Sequence, residues 1–233
     1  VLEDAAEMGV KGMVIMSDGE STLHPFWADS ISMGKALGMD MAAASNGYML
    51  VPELADKVLP HLTYLRINFS AGEPTRYAEI MGVPKFWYPR VRENIRHMVA
   101  QKRRHGYEVT INMSMVCRPQ EAEQILPFAR LGKELGVDFV IIKHCLDYAG
   151  APIGVDYTKY EKIVPLLQEA ETLSTENFLV TSKWNTMRKG AVDSPRYCYG
   201  PAFLLQLSGT GLLAACGPLF APRYAEKYHI GNV

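Results

Sequence analysis

The segment Ser17-Asp18-Gly19-Glu20-Ser21-Thr22-Leu23-His24-Pro25 sets a carboxylate beside a glycine and among hydroxyl groups. It directly follows the apolar run Gly12-Met13-Val14-Ile15-Met16, which reads as a buried strand. A Gly-Glu pair at the end of a strand stands where α/β folds bind their ligands. The glycine lets the backbone come close to a ligand, and Glu20 offers a carboxylate to an ammonium group. Near the other end, Cys198 is followed by twelve residues, Gly211, four residues and Cys216. Between the thiols, residues 203–215 read as two short apolar strands joined by Ser208-Gly209-Thr210-Gly211, the composition of a hairpin turn. Such a hairpin would bring Cys198 and Cys216 together to share a metal or a disulfide.

These groups need elements to position them. The periodicity predicts a helix over 1–10, a strand over 13–16, a helix over 25–37, a strand over 40–44, a short helix over 52–59 and a strand over 64–69. It continues with a helix over 89–104, a strand over 107–116, a helix over 120–135, a strand over 138–142 and a helix over 157–173. Strands alternating with helices make βα units and a parallel sheet, closed into a full or partial barrel or opened into a doubly wound sheet. No Gly-x-Gly-x-x-Gly follows the first strand, which removes support for the dinucleotide-binding version. The polar residues then fall at strand ends: Gly19 and Glu20 after the first, Ser45 and Asn46 after the second, Asn68 and Ser70 after the third, Lys143 and His144 after the fifth. In a barrel these ends converge on one rim. The alternation stops between Thr172 and Val180, so a boundary is expected there, with domains over 1–175 and 176–233.

Bulk composition is permissive. With 233 residues, 48% of them apolar and 21% charged, the chain can bury one sizeable core. A net charge of −1 gives no electrostatic case for a nucleic-acid partner. No apolar run approaches the ~20 residues of a membrane helix. The four cysteines, Cys117, Cys145, Cys198 and Cys216, are spread too widely for a secreted disulfide scaffold, and a cytoplasmic setting is expected.

Taken in order, the segments resemble the radical S-adenosylmethionine (radical SAM) superfamily. Met13 to Pro25 resembles its "GGEP-LL-HP" segment, Ser45-Asn46-Gly47 its "TNG", and Leu65 to Gly72 with Tyr77 and Gly82 its "R-S-D-A … Y … G". Cys198-x12-Gly211-x4-Cys216 followed by Ile230-Gly231-Asn232-Val233 resembles the start of a SPASM/twitch extension, which holds auxiliary iron–sulfur clusters. The resemblance implies a partial (β/α)6 TIM-like barrel, with a first strand and cluster loop not in this sequence, and a small C-terminal β-hairpin extension. It implies that Gly19 and Glu20, with the backbone at Asp18, hold the amino group of S-adenosylmethionine. Asn68 and Ser70 would contact its ribose or carboxylate, Ser45 and Asn46 would line the same rim, and Cys198 and Cys216 would ligate an auxiliary iron–sulfur cluster. It implies a [4Fe–4S] cluster as the electron source, a flavodoxin or ferredoxin as reductant, and a substrate that is a peptide or protein.

Departures from the pattern are specific. Asp18 stands where the family has its first glycine, Ser21 where it has proline, and Asn68 where serine is common. None of the four cysteines has the family's Cys-x3-Cys-x2-Cys spacing, so the expectation is a truncated enzyme, inactive without its primary cluster loop.

Plainer readings stand beside these. Glu20 also suits a helix start, Cys117 and Cys145 suit packing, and His24 and His144 suit structural hydrogen bonding. Lys102-Arg103-Arg104-His105 suits a solvated helix end, and Phe86-Trp87-Tyr88 suits core or lid packing. The competing functions are a radical SAM enzyme acting on a small molecule or RNA, a metal-free aldolase-like barrel using Lys143, and a binding module.

Overall fold

A computed structural model describes residues 1–17, 19–146, 153–183, 187 and 197–233. The chain divides into two compact units, Leu2–Val192 and Asp193–Val233.

The larger unit alternates strand and helix. Its strands are β1 (Gly12–Ile15), β2 (Asp40–Ser45), β3 (Leu62–Asn68), β4 (Thr110–Cys117), β5 (Phe139–His144) and β6 (Leu179–Ser182). They form one sheet in sequence order, every neighbouring pair parallel. The helices are α1 (Leu2–Glu7), α2 (Trp27–Ala36), α3 (Pro52–Val58), α4 (Pro74–Met81), α5 (Trp87–His105), α6 (Ile125–Leu135) and α7 (Val164–Glu171). Six parallel strands with helices between them make the expected partial (β/α)6 barrel.

The alternation of side chains along the strands separates two faces. Leu65, Ile67, Ile111, Met113, Val140 and Ile142 are fully buried. They join a core with helix residues such as Val91, Ile95 and Phe128. Ring contacts of Phe69 with Tyr77 on α4 and Tyr88 on α5 fix that face as the one the helices cover. The residues between them face the barrel's interior. The register carries Ala44, Arg66, Asn112, Phe139 and Leu179 across the sheet as one row, and Asn68, Ser114, Ile141 and Thr181 as the next. The interior is therefore far more polar than the helix-covered face, and it is the face on which chemistry has room.

Several boundaries differ from the periodicity. Residues 120–135 and 157–173 each split into a 3-10 segment, Pro119–Gln124 or Tyr157–Ile163, followed by α6 or α7. Pro127 and Pro165 lie in the first turns of those α-helices, where the missing N–H is tolerated, but neither can sit inside a continuous helix. Helix α4 and strand β6 were not anticipated. Because β6 pairs with β5, the alternation runs past the boundary expected at 175/176, and the larger compact unit extends to Val192.

In the smaller unit the expected hairpin forms. β7 (Gln206–Leu207) pairs antiparallel with β8 (Leu212–Ala214). The turn is closed by Ser208 N–H donating to Leu212 O at 2.9 Å and Gly211 N–H to Ser208 O at 3.1 Å. A third strand, β9 (His229–Asn232), pairs with β8 and turns the hairpin into a three-stranded antiparallel sheet.

The loop after β3 is held by close backbone approach. A Cβ on Gly72 would lie 2.2 Å from the Pro127 carbonyl carbon and 2.4 Å from Phe128 N. Gly72 N–H donates to Gln124 Oε1 at 3.1 Å, and the Tyr88 hydroxyl donates to Gly72 O. Gly19 has no atom within 4 Å of the corresponding position. Gly72→Ala is expected to destabilise the chain by about 3 kcal/mol, with Gly19→Ala near neutral, as measured by urea unfolding of both variants; equal midpoints would contradict this packing.

Candidate functional site

Glu20 joins two strand ends. Its Oε1 accepts from the Ser45 hydroxyl at 2.8 Å, the Thr22 hydroxyl at 2.6 Å and Thr22 N–H at 3.2 Å. Its Oε2 accepts from Asn46 N–H at 2.7 Å. Ser21 adds a second tie, its hydroxyl donating to Ala44 O at 3.2 Å. The helix-start reading of Glu20 holds as well, since it caps the 3-10 turn Ser21–Leu23. What sequence reasoning missed is that the same carboxylate reaches across to β2.

The loop after β2 is built to present Asn46. Ser45 Oγ accepts from Gly47 N–H at 2.9 Å, and Asn46 Oδ1 accepts from Tyr48 N–H at 2.9 Å. Asn94 on α5 donates to Gly47 O at 2.8 Å and Tyr48 O at 3.2 Å. Gly47 has φ +80°, and a Cβ there would press within 2.9 Å of Val91, so only glycine fits this turn. Tyr48 is clasped from outside by Trp87, stacked at 3.8 Å, and by the Arg90 guanidinium 4.1 Å from its ring centre.

From β3, Asn68 lies half-buried on the inner face, and its side-chain amide has no hydrogen-bond partner among the described residues. Ser70 is buried, its hydroxyl accepting from Val116 N–H at 3.4 Å. The structure thus places Gly19, Glu20, Ser45, Asn46, Asn68 and Ser70 at the C-terminal ends of three adjacent strands. Glu20, Ser45 and Asn46 are in direct contact. Asp18 lies outside the described residues.

Lys143 and His144 belong to β5 itself rather than following it. Burial, with Arg66 and Lys183 nearby, brings the Lys143 ammonium down to about 8. Burial also pushes the His144 imidazole down, with Lys183 and Lys143 adding to the effect. Its Nδ1 is buried without a hydrogen-bond partner among the described residues, and its ring lies among those of Tyr157 and Tyr160. Tyr160 spaces β4 from β5: its hydroxyl donates to Cys117 O at 2.8 Å and accepts from Cys145 N–H at 2.9 Å. Cys117 is fully buried, which pushes its thiol up to about 12 and makes it a packing residue. A cleft of about 610 Å³ lined by Lys102, Gly136, Asp138 and Phe178 lies at the opposite, N-terminal ends of the strands.

All four cysteines are free, so Cys198 and Cys216 form no disulfide. Both thiols are exposed. Cys216 precedes the 3-10 turn Gly217–Phe220, and Cys198 lies two residues before the turn Gly200–Ala202. Among the described residues no group of three or more His, Cys, Asp or Glu side chains is arranged to hold a metal ion. The described residues therefore do not assemble the three-thiolate set that a [4Fe–4S] cluster with one open iron requires. The polar, partly unpartnered rim does fit a zwitterionic organic ligand.

No family model matches the sequence, and no curated protein matches it. Solved structures do. SuiB from Streptococcus suis bound to S-adenosylmethionine matches with TM-score 0.72 and 14% identity over 95% of this chain and 53% of that one. Native anSMEcpe with bound AdoMet matches with TM-score 0.66 and 14% identity over 99% of this chain and 66% of that one. Archaeal TYW1 matches with TM-score 0.51 and 20% identity over 69% of this chain and 50% of that one. All three are radical SAM enzymes. The chain has the radical SAM fold. It spans about half the length of SuiB. On this fold the rim built by Glu20, Asn46 and Asn68 stands at the strand ends where a ligand would be met.

Glu20→Gln is expected to cost about 1–3 kcal/mol, because one amide oxygen replaces two carboxylate oxygens and an NH2 group meets N–H or O–H donors. Urea unfolding measures the loss, and amide hydrogen exchange at Asn46 is expected to speed up. Unchanged stability and exchange would show that Glu20 does not join the strands.

Proposed function

We propose that this chain is the cofactor-binding barrel of a radical SAM enzyme that modifies a peptide or protein. One observation carries the reading: on a radical SAM fold, a single carboxylate organises the ends of the first two strands beside a polar side chain from the third that has no hydrogen-bond partner among the described residues. Oε1 of Glu20 already accepts three hydrogen bonds and Oε2 only one. A carboxylate oxygen offers about two lone-pair sites, so Oε2 is the atom left to receive the ammonium of S-adenosylmethionine. Gly19 is exposed and lets that group approach the backbone. Asn68 and Ser70 face the ribose or carboxylate, and Ser45 and Asn46 hold the rim's shape.

The iron–sulfur side of the chemistry is a separate matter. Among the described residues no three thiolates are grouped to hold a primary cluster. Cys198 and Cys216 supply two exposed thiols on the smaller unit, in keeping with part of the ligand set of an auxiliary iron–sulfur cluster in a SPASM-type extension. A flavodoxin or ferredoxin is the reductant this reading implies. The peptide or protein substrate is supported by two relatives, SuiB solved with the precursor peptide SuiA and anSMEcpe solved with the Kp18Cys peptide. A cytoplasmic setting is supported by the four free thiols. No helix among the described residues is long and apolar enough to cross a membrane.

The test is anaerobic expression of the full reading frame that contains this sequence. Iron and sulfide are expected, with formation of 5′-deoxyadenosine from S-adenosylmethionine under reduction. Cys198→Ser with Cys216→Ser is expected to lower the iron content. A colourless protein that leaves S-adenosylmethionine intact would contradict the reading, and a borohydride-trappable Lys143 in that protein would favour the aldolase-like alternative.

A further inference from the structure

Three cations share the inner face of the barrel. Arg66 stands on β3, Lys143 on β5, and Lys183 just after β6, where its N–H donates to Ile142 O at 3.0 Å. The strand pairing sets Lys183 beside Lys143, and Arg66 lies on the same face two strands away; the charges of both act on the Lys143 ammonium. Among the described residues none of the three enters an ion pair. Among the described residues Arg66 Nε is buried without a hydrogen-bond partner, and so is Ser114 Oγ on the adjacent strand.

The other buried, unpartnered guanidinium nitrogen offers a contrast. Arg92 Nε also lacks a partner, but that side chain pairs with Glu134 and lies over Tyr88. Arg66 has no such compensation among the described residues. Arg66 and Lys143 are both partly withdrawn from water, and like charges so placed are costly unless an anion joins them. A guanidinium offers its N–H groups in a planar fork that matches a carboxylate, and an ammonium adds a point charge beside it.

We infer that Arg66, Lys143 and Lys183 receive a carboxylate of the substrate, with Ser114 as a neutral donor. This rests on the proposed reading in one respect, that a peptide or protein enters the barrel, since acidic side chains and C-termini are the carboxylates such a substrate brings. The substrate class is therefore an acidic segment, and the cations set its register on the inner face.

Competitive acetylation of the chain by isotopically labelled acetic anhydride at pH 8, read by mass spectrometry, tests the assignment with glutarate as the probe. Lys143 is reactive at that pH because its pKa lies at about 8. Glutarate is expected to protect Lys143 and Lys183 and to leave the exposed Lys85 unaffected. Arg66→Gln is expected to raise the glutarate needed for half-protection roughly tenfold, while Arg66→Lys, which keeps the charge and loses the fork, restores only part of it. Lys183→Gln, at an exposed position where misfolding is not at issue, is expected to weaken protection of Lys143 as well. Absence of protection, or protection by inorganic phosphate but not by glutarate, would overturn the inference. Equal protection by S-adenosylmethionine would also overturn it, assigning the cations to the cofactor's own carboxylate. If glutarate protects while the full reading frame forms no 5′-deoxyadenosine, the radical reading fails and the anion site stands.

Discussion

The Glu20 carboxylate takes hydrogen bonds from Ser45, Asn46 and Thr22 and so couples the loop after β1 to the loop after β2. Parallel strands pair through their backbones only as far as their last residues, and the loops beyond are free to diverge unless side chains hold them. Here one carboxylate does so at the end where α/β folds meet ligands. The same contact orients Asn46 and leaves one oxygen of Glu20 less occupied than the other. Shape and chemistry at the rim therefore come from one interaction.

The sheet's two faces divide the remaining work. The helix-covered face is close-packed, with Leu65, Ile67, Ile111, Met113, Val140 and Ile142 fully buried. The inner face carries Arg66, Asn68, Asn112, Ser114 and Lys143 along the same strands. A period-two alternation places both sets at once, so each strand supports the core and the site together. Gly47 and Gly72 show the accompanying demand for precision, since each sits where a side chain would collide with a helix.

Much of this was legible from residue order. The strand-end positions of Glu20, Asn46, Asn68 and Ser70 followed from apolar runs ending in polar groups, and the hairpin around Ser208 to Gly211 followed from its turn composition. Three things were not legible. β6 is four residues long, too short for its alternation to stand out before it pairs with β5. Helix α4 begins at Pro74 directly after the Gly72 turn, where glycine and proline read as loop. The bond from Glu20 to Ser45 spans 25 residues of sequence, and no local pattern encodes it. The inner-face position of Arg66 was readable in principle, because it falls between Leu65 and Ile67 in an apolar strand. That it has no acidic partner among the described residues was visible only once the strands were side by side.

The most direct test of the central claim is a structure of the full-length protein with S-adenosylmethionine bound. The account predicts the ligand's ammonium within about 3 Å of Glu20 Oε2, with Asn68 and Ser70 lining the adjoining part of the ligand and the Glu20–Asn46 hydrogen bond intact. An S-adenosylmethionine molecule bound away from the ends of β1, β2 and β3, or a Glu20 side chain turned from β2, would contradict it.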